Sequence, residues 1–192
     1  MSTSVEVVEG EFYEDFISDD EVAEFETDIE EMKYQKWVDR YPEHAMTIFG
    51  ALIAFSGDEM TEADVLYFKN KGVNLNVASN VYRSDAGGTT PLGCASEFRL
   101  NALMHSLIKH GALIDQEDQH GFTPIESVLM GHGYNDQFRI DEVEICVKLL
   151  VENNVKNELQ EHIILEYCEE YWKSDYLSNF LHQSQVRPST DV

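Results

Sequence analysis

A chain of 192 residues, 43% of them hydrophobic, is long enough to bury one sizeable core, short for two, and too apolar to be disordered throughout. Its formal charge of −24 argues against direct binding to nucleic acid or an anionic lipid surface, and favours a basic protein as partner through steering that weakens as salt rises. Three cysteines, Cys94, Cys146 and Cys168, match no zinc-ligand spacing and cannot all pair within one chain, so they read as reduced thiols.

The acid is concentrated near the start. Of the 37 acidic side chains, thirteen lie in residues 1–32, where there is no Lys or Arg, so 24 remain against 13 basic residues in the rest. This acidic N-terminal segment is expected to be partly helical. From about Asp20, the residues Val22, Phe25, Ile29 and Met32 recur at helical spacing, which gives one apolar face and one carboxylate face. Such a helix serves either as a core stripe beneath a solvated face or as an acidic arm that docks on a partner. No opening stretch joins a basic start to an apolar run, and nothing approaches the roughly 18 apolar residues of a membrane span, so a cytoplasmic location is expected.

From Tyr34 to Phe55 the pattern stays helical, with a break near Tyr41 and Pro42, where Pro42 suits a first helical turn. Thr61 followed by Asp64 signals a helix start, and Met60 with Val65 can staple across it. That helix is expected to run to Lys71 and stop at Gly72, which reaches the left-handed conformation without steric cost. Thr90 and Pro91 open a short helix through Phe98, and a second from about Asn101 carries Leu103, Met104, Leu107 and Ile108 before ending at Gly111. Gly121, Thr123 and Pro124 repeat the earlier signal, and Thr123 with Glu126 forms a capping-box sequence. A helix from about Asp141 holds Val143, Cys146, Val147 and Leu150 and ends near Asn153 and Asn154, where asparagine can replace glycine in a left-handed cap. Residues 156–184 read as a pair of capping helices with Trp172 near their junction, and residues 185–192 as a flexible tail.

The segment G-T-T-P-L-G-C-A at Gly88 to Ala95 recurs 33 residues later as G-F-T-P-I-E-S-V at Gly121 to Val128, and K-H-G-A-L-I-D at Lys109 to Asp115 follows the first copy. This pattern resembles the ankyrin repeat. A fainter unit has T-I-F-G at Thr47 to Gly50 and K-G-V-N-L-N at Lys71 to Asn76. The resemblance covers about residues 47–155 and implies an all-α, ankyrin-repeat helical solenoid of stacked helix pairs with short hairpin loops over residues 33–155, capped by helices at both ends. Its structural repeat residues are Gly72, Thr90, Pro91, Leu92, Gly111, Thr123, Pro124 and Glu126. The family's usual histidine after T-P-L is replaced by Gly93 and Glu126. Insertions of about six residues near Val77 to Gly87 and about nine near Met130 to Phe138 fall on loops.

No nucleophile with a base, metal cluster or phosphate loop is legible, so no catalytic, cofactor-binding or metal residue is assigned and an enzyme is not expected. His105 and His110 diverge around their helix, Gly131 to Gly133 reads as a flexible patch, and the terminal Thr190-Asp191-Val192 reads as a frayed tail. The resemblance implies a protein-binding module. The specific expectation is a stoichiometric inhibitor or immunity protein that neutralises a basic partner such as a nuclease toxin, with monomer favoured. A nucleic-acid mimic and a scaffold or adaptor are the alternatives. The candidate contact residues are Asp85, Asp115, Gln116, Glu117, Asp118, His120, Tyr134 and Asp136, drawn from the clearest hairpin tip and the two insertions.

Overall fold

The computed structural model describes residues 7–8, 16–79, 88–118, 121–130 and 140–153. These residues are predominantly helical, with eight α-helices: α1 (Asp19–Glu30), α2 (Gln35–Arg40), α3 (Ala45–Ser56), α4 (Glu62–Asn70), α5 (Pro91–Glu97), α6 (Asn101–Lys109), α7 (Pro124–Met130) and α8 (Ile140–Glu152). A 3₁₀ turn at Pro42–His44 precedes α3, and two two-residue strands, β1 (Val7–Val8) and β2 (Ala78–Ser79), pair in parallel. The expected capping helices at 156–184, Trp172, Cys168, Asn154 and the tail at 185–192 lie outside the described residues.

Local hydrogen bonding explains where these helices begin. The Thr61 amide and hydroxyl both donate to the Asp64 carboxylate at 2.7 Å, while Met60 and Val65 are buried on either side of that start. Thr90 Oγ1 accepts from the Gly93 amide at 3.1 Å, and the Thr123 amide and hydroxyl donate to Glu126 at 2.7 and 2.8 Å. Thr47 plays no such part. It is the third residue of α3, whose N-cap is His44, so the T-I-F-G segment does not open a helix as Thr90 does.

Helix ends share one device. In α1, α4, α5 and α6 the chain turns left-handed one residue past the cap, and two amides return to the carbonyls left open by the last turn. Gly72 and Gly111 hold that position after α4 and α6, with φ of +94° and +100°. Met32 and Arg99, both at φ +57°, hold it after α1 and α5, where the sequence carries no glycine. Met32 is therefore not part of the helical stripe: α1 stops at Glu30, and Met32 meets the core from the turn beyond. At the end of α8, Asn153 is not left-handed; its side-chain amide instead donates to the Leu149 carbonyl at 2.8 Å.

The helices pair and then stack. Each of α3–α4, α5–α6 and α7–α8 packs as a pair, α5 lies against both α3 and α7, and α6 lies against both α4 and α8. The first helices of the pairs make the inner row. Pro91–Glu97 are buried throughout, as are nine of the twelve residues of α3, so an almost uniformly apolar helix such as α3 is what this position demands. At one end of the stack α1 and α2 cover α3. Phe25, Ile29 and Val38 are wholly buried there, with Trp37 edge-on to Phe25 at 5.1 Å between ring centroids. Full burial of side chains of this size stabilises by about 1.5–3 kcal/mol each, which makes α1 part of the core.

Candidate protein-binding surface

Three of the seven acids of α1 are paired within the molecule, while Asp19, Asp20 and Glu30 are exposed. Arg40 pairs with Glu21, and Lys36 reaches both Glu24, at 2.7 Å, and Asp28. The Ser18 hydroxyl and amide, reinforced by Arg40, hold the Glu21 carboxyl below its ordinary range. Burial opposes ionisation of Asp28, but hydrogen bonds from Lys36 and from Trp37 Nε1, at 3.0 Å, outweigh it and hold that carboxyl low as well. Nearby, burial and a hydrogen bond to Asp64 push the Tyr34 phenol well above its usual range, so Tyr34 stays a neutral donor. The first group of contacts ties α1 to α2, and the Tyr34–Asp64 bond ties the start of α2 to α4.

The loop after α6 is organised differently. Asn76, from the loop after α4, clasps it: Asn76 Nδ2 donates to the Gly111 carbonyl at 3.1 Å and Asn76 Oδ1 accepts from the Leu113 amide at 2.8 Å. Lys69 Nζ donates to the His110 carbonyl at 2.6 Å, which places a cation at the negative end of α6. At the first residue of α4, Glu62 receives Lys109 and the His110 ring, the latter at 2.8 Å, and these two hydrogen bonds hold its carboxyl below the ordinary range. The loop following α6 is therefore anchored to the preceding helix pair at both backbone and side-chain level.

Beyond this clasp the predicted contact residues separate by role. Asp115 and Glu117 are exposed, and no described cation pairs with either. Gln116 folds toward the Glu117 carbonyl at 3.3 Å. Asp118 is structural: its carboxylate accepts from the Phe122 amide at 2.8 Å, and its own amide donates to the Phe122 carbonyl at 2.8 Å. The tip thus presents two open acids where the sequence suggested three. Gly121, at φ +83°, completes the turn. Asp85, His120, Tyr134 and Asp136 lie outside the described residues. Two residues that the charge-based reading passed over are Leu113 and Phe122, which flank the tip at 49% and 40% exposure.

The positions that follow the T-P-L and T-P-I segments are filled in two different ways. At Gly93 an added Cβ would lie well inside van der Waals contact distance of Thr89 Oγ1, so the Thr89 side chain fills the space that a larger residue there would take. At the equivalent place in the next unit, buried Glu126 turns back to cap its own helix. Arg99 adds a crossing between units, its Nε donating to the Val128 carbonyl at 3.2 Å.

Among the described residues no group of His, Cys, Asp or Glu is arranged to hold a metal ion, and no helix is long and apolar enough to cross a membrane. Compared with known proteins, the chain matches no family model, no curated sequence and no solved structure.

Proposed function

We propose that this chain is a non-catalytic protein-binding module, built as an ankyrin-type stack of helix pairs, that grips a basic protein through the loop edge of the stack. The observation that carries this reading is a pair of exposed acids held on an anchored loop. Asp115 and Glu117 stand exposed on a loop pinned by Asn76, while α1 mixes exposed Asp19, Asp20 and Glu30 with Glu21, Glu24 and Asp28, which Arg40 and Lys36 engage. Every residue of α5 is buried, which favours the loop edge over that part of the inner helix row as the contact surface. Complementary charge at such an edge raises association rate more than final affinity, which suits an inhibitor that must occlude its target quickly. An immunity-type role against a basic toxin or nuclease is the specific form of the proposal.

The reading as a nucleic-acid mimic receives less support, because mimicry needs an ordered track of open carboxylates and those of α1 are partly neutralised. Capture of partners from the native source, identified by mass spectrometry, supplies the protein on which to test the proposal. The identified partner should form a one-to-one complex, lose its activity at one equivalent, and associate more slowly as salt rises and with Asp115→Asn/Glu117→Gln. A partner of acidic character, or an association rate indifferent to both salt and these substitutions, would end the proposal.

A further inference from the structure

The strand β1 and the Asn76 clasp lie far apart in sequence and come together in the loop after α4. Val7 and Val8 pair in parallel with Ala78 and Ser79, so the N-terminal segment contributes its backbone to that loop. On the clasp side, Asn76 holds the loop after α6 through the Gly111 carbonyl at 3.1 Å and the Leu113 amide at 2.8 Å. Only Val77 separates Asn76 from β2, so a shift of the strand moves the clasp. Asn76 is also steadied from behind, where its own amide donates to Asn74 Oδ1 at 3.0 Å. The clasp residue therefore sits between a local turn on one side and a strand pairing on the other.

From this juxtaposition we infer that β1 is a detachable brace for the proposed binding edge: paired with β2, it fixes the Asn76 clasp and, through it, the backbone of the loop after α6. Its functional meaning rests on the proposed use of that edge, because a preordered loop loses less freedom on contact and releases its partner more slowly. The brace is the part of the fold most readily released. A ladder of two residues per strand is far below the size at which strands are stable alone, so it opens at lower free energy than the packed helices do. It also precedes α1, whose Phe25 and Ile29 are buried, so the brace can be withdrawn while the core stays in place. The N-terminal segment thus has two separable attachments, one to the core through α1 and one to the loop edge through β1.

Val7→Pro/Val8→Pro in the full chain removes both ladder amides of β1 and touches no helix. Amide exchange of the protein alone, read by NMR, then reports each part. The expected result is exchange of the Leu113 amide about fivefold faster than in the parent, equivalent to the loss of one net hydrogen bond, with amides of α3 and α5 unchanged. In an Asn76→Ala background, where the clasp is already gone, the same pair of prolines should leave Leu113 exchange as it was. An unchanged Leu113 amide in the proline variant overturns the inference, as does an increase that persists without Asn76 or one shared equally by α3 and α5. None of these readings involves a partner, so their failure leaves the basic-partner proposal standing. That proposal fails separately, on a captured partner of acidic character or an association rate indifferent to salt, and the brace then remains as a property of the chain.

Discussion

Replacing Gly93 by alanine adds one methyl group to the buried helix α5, and its effect on stability should have the opposite sign from the same change in an open helix. Alanine is favoured over glycine inside a helix by about 1 kcal/mol. Here the new Cβ would collide with Thr89 Oγ1 and lie 3.4 Å from Thr90 Oγ1, which already accepts from the Gly93 amide. Thr89 is buried and β-branched, so it cannot swing aside cheaply. Overpacking of this kind costs about 1–3 kcal/mol and outweighs the propensity gain, leaving a net loss of about 1 kcal/mol. Urea unfolding of the full chain, with the slope checked for constancy, gives the number. In a Thr89→Ala background the obstacle is gone, and Gly93→Ala should then stabilise by about 0.5–1 kcal/mol. If Gly93→Ala raises the midpoint of the parent chain, or if Thr89→Ala fails to reverse its sign, the account of how Thr89 fills the space beside Gly93 is wrong.

Further outcomes follow from single contacts. Asn76→Ala should cost about 1 kcal/mol and raise hydrogen exchange of the Leu113 amide, read by NMR, because both partners of the clasp are lost together. Gly111→Ala should cost about 1–2 kcal/mol by backbone strain alone, since no atom lies within 4 Å of the added Cβ while φ is +100°; thermal unfolding measures it. Phe25→Ala should lose about 3–5 kcal/mol, as α1 is part of the core, and near-ultraviolet circular dichroism with chemical unfolding would reveal it. The folded-state carboxyl of Glu62 is held below its ordinary value of 4.5, so its contribution is present above that value and is lost as pH falls through the folded one. Glu62→Gln should therefore be less stable than the parent at neutral pH, with the difference shrinking below about pH 4.5, the unfolded-state value.

Much of the helical layout was legible because its signals are local. Thr61 with Asp64, Thr90 with Pro91, Thr123 with Glu126, and the glycines at 72 and 111 act within one turn, and the chain uses them as expected. What escaped depends on neighbours distant in sequence or on residues outside their usual roles. Met32 and Arg99 occupy left-handed caps that sequence reasoning reserves for glycine or asparagine. The Asn76 clasp joins two loops 35 residues apart, and no pattern within either loop announces it. Asp118 counted as surface charge because an acid at a tip looks alike whether it faces solvent or a backbone amide; the following Gly121 and Phe122, which close the turn on it, were the available hint. Sequence pattern alone leaves α1 open between core stripe and docking arm. Burial of Phe25 and Ile29 places it in the core, so a deletion of residues 1–31 would disturb the stack as well as remove charge.

Hydrogen-exchange mass spectrometry of the chain alone and bound to its captured partner addresses the proposed binding edge most directly. Protection on binding should concentrate in peptides spanning residues 111–123, with α1 nearly unchanged. Protection confined to α1 and α2, with the loop after α6 exchanging as fast in the complex as alone, would contradict it.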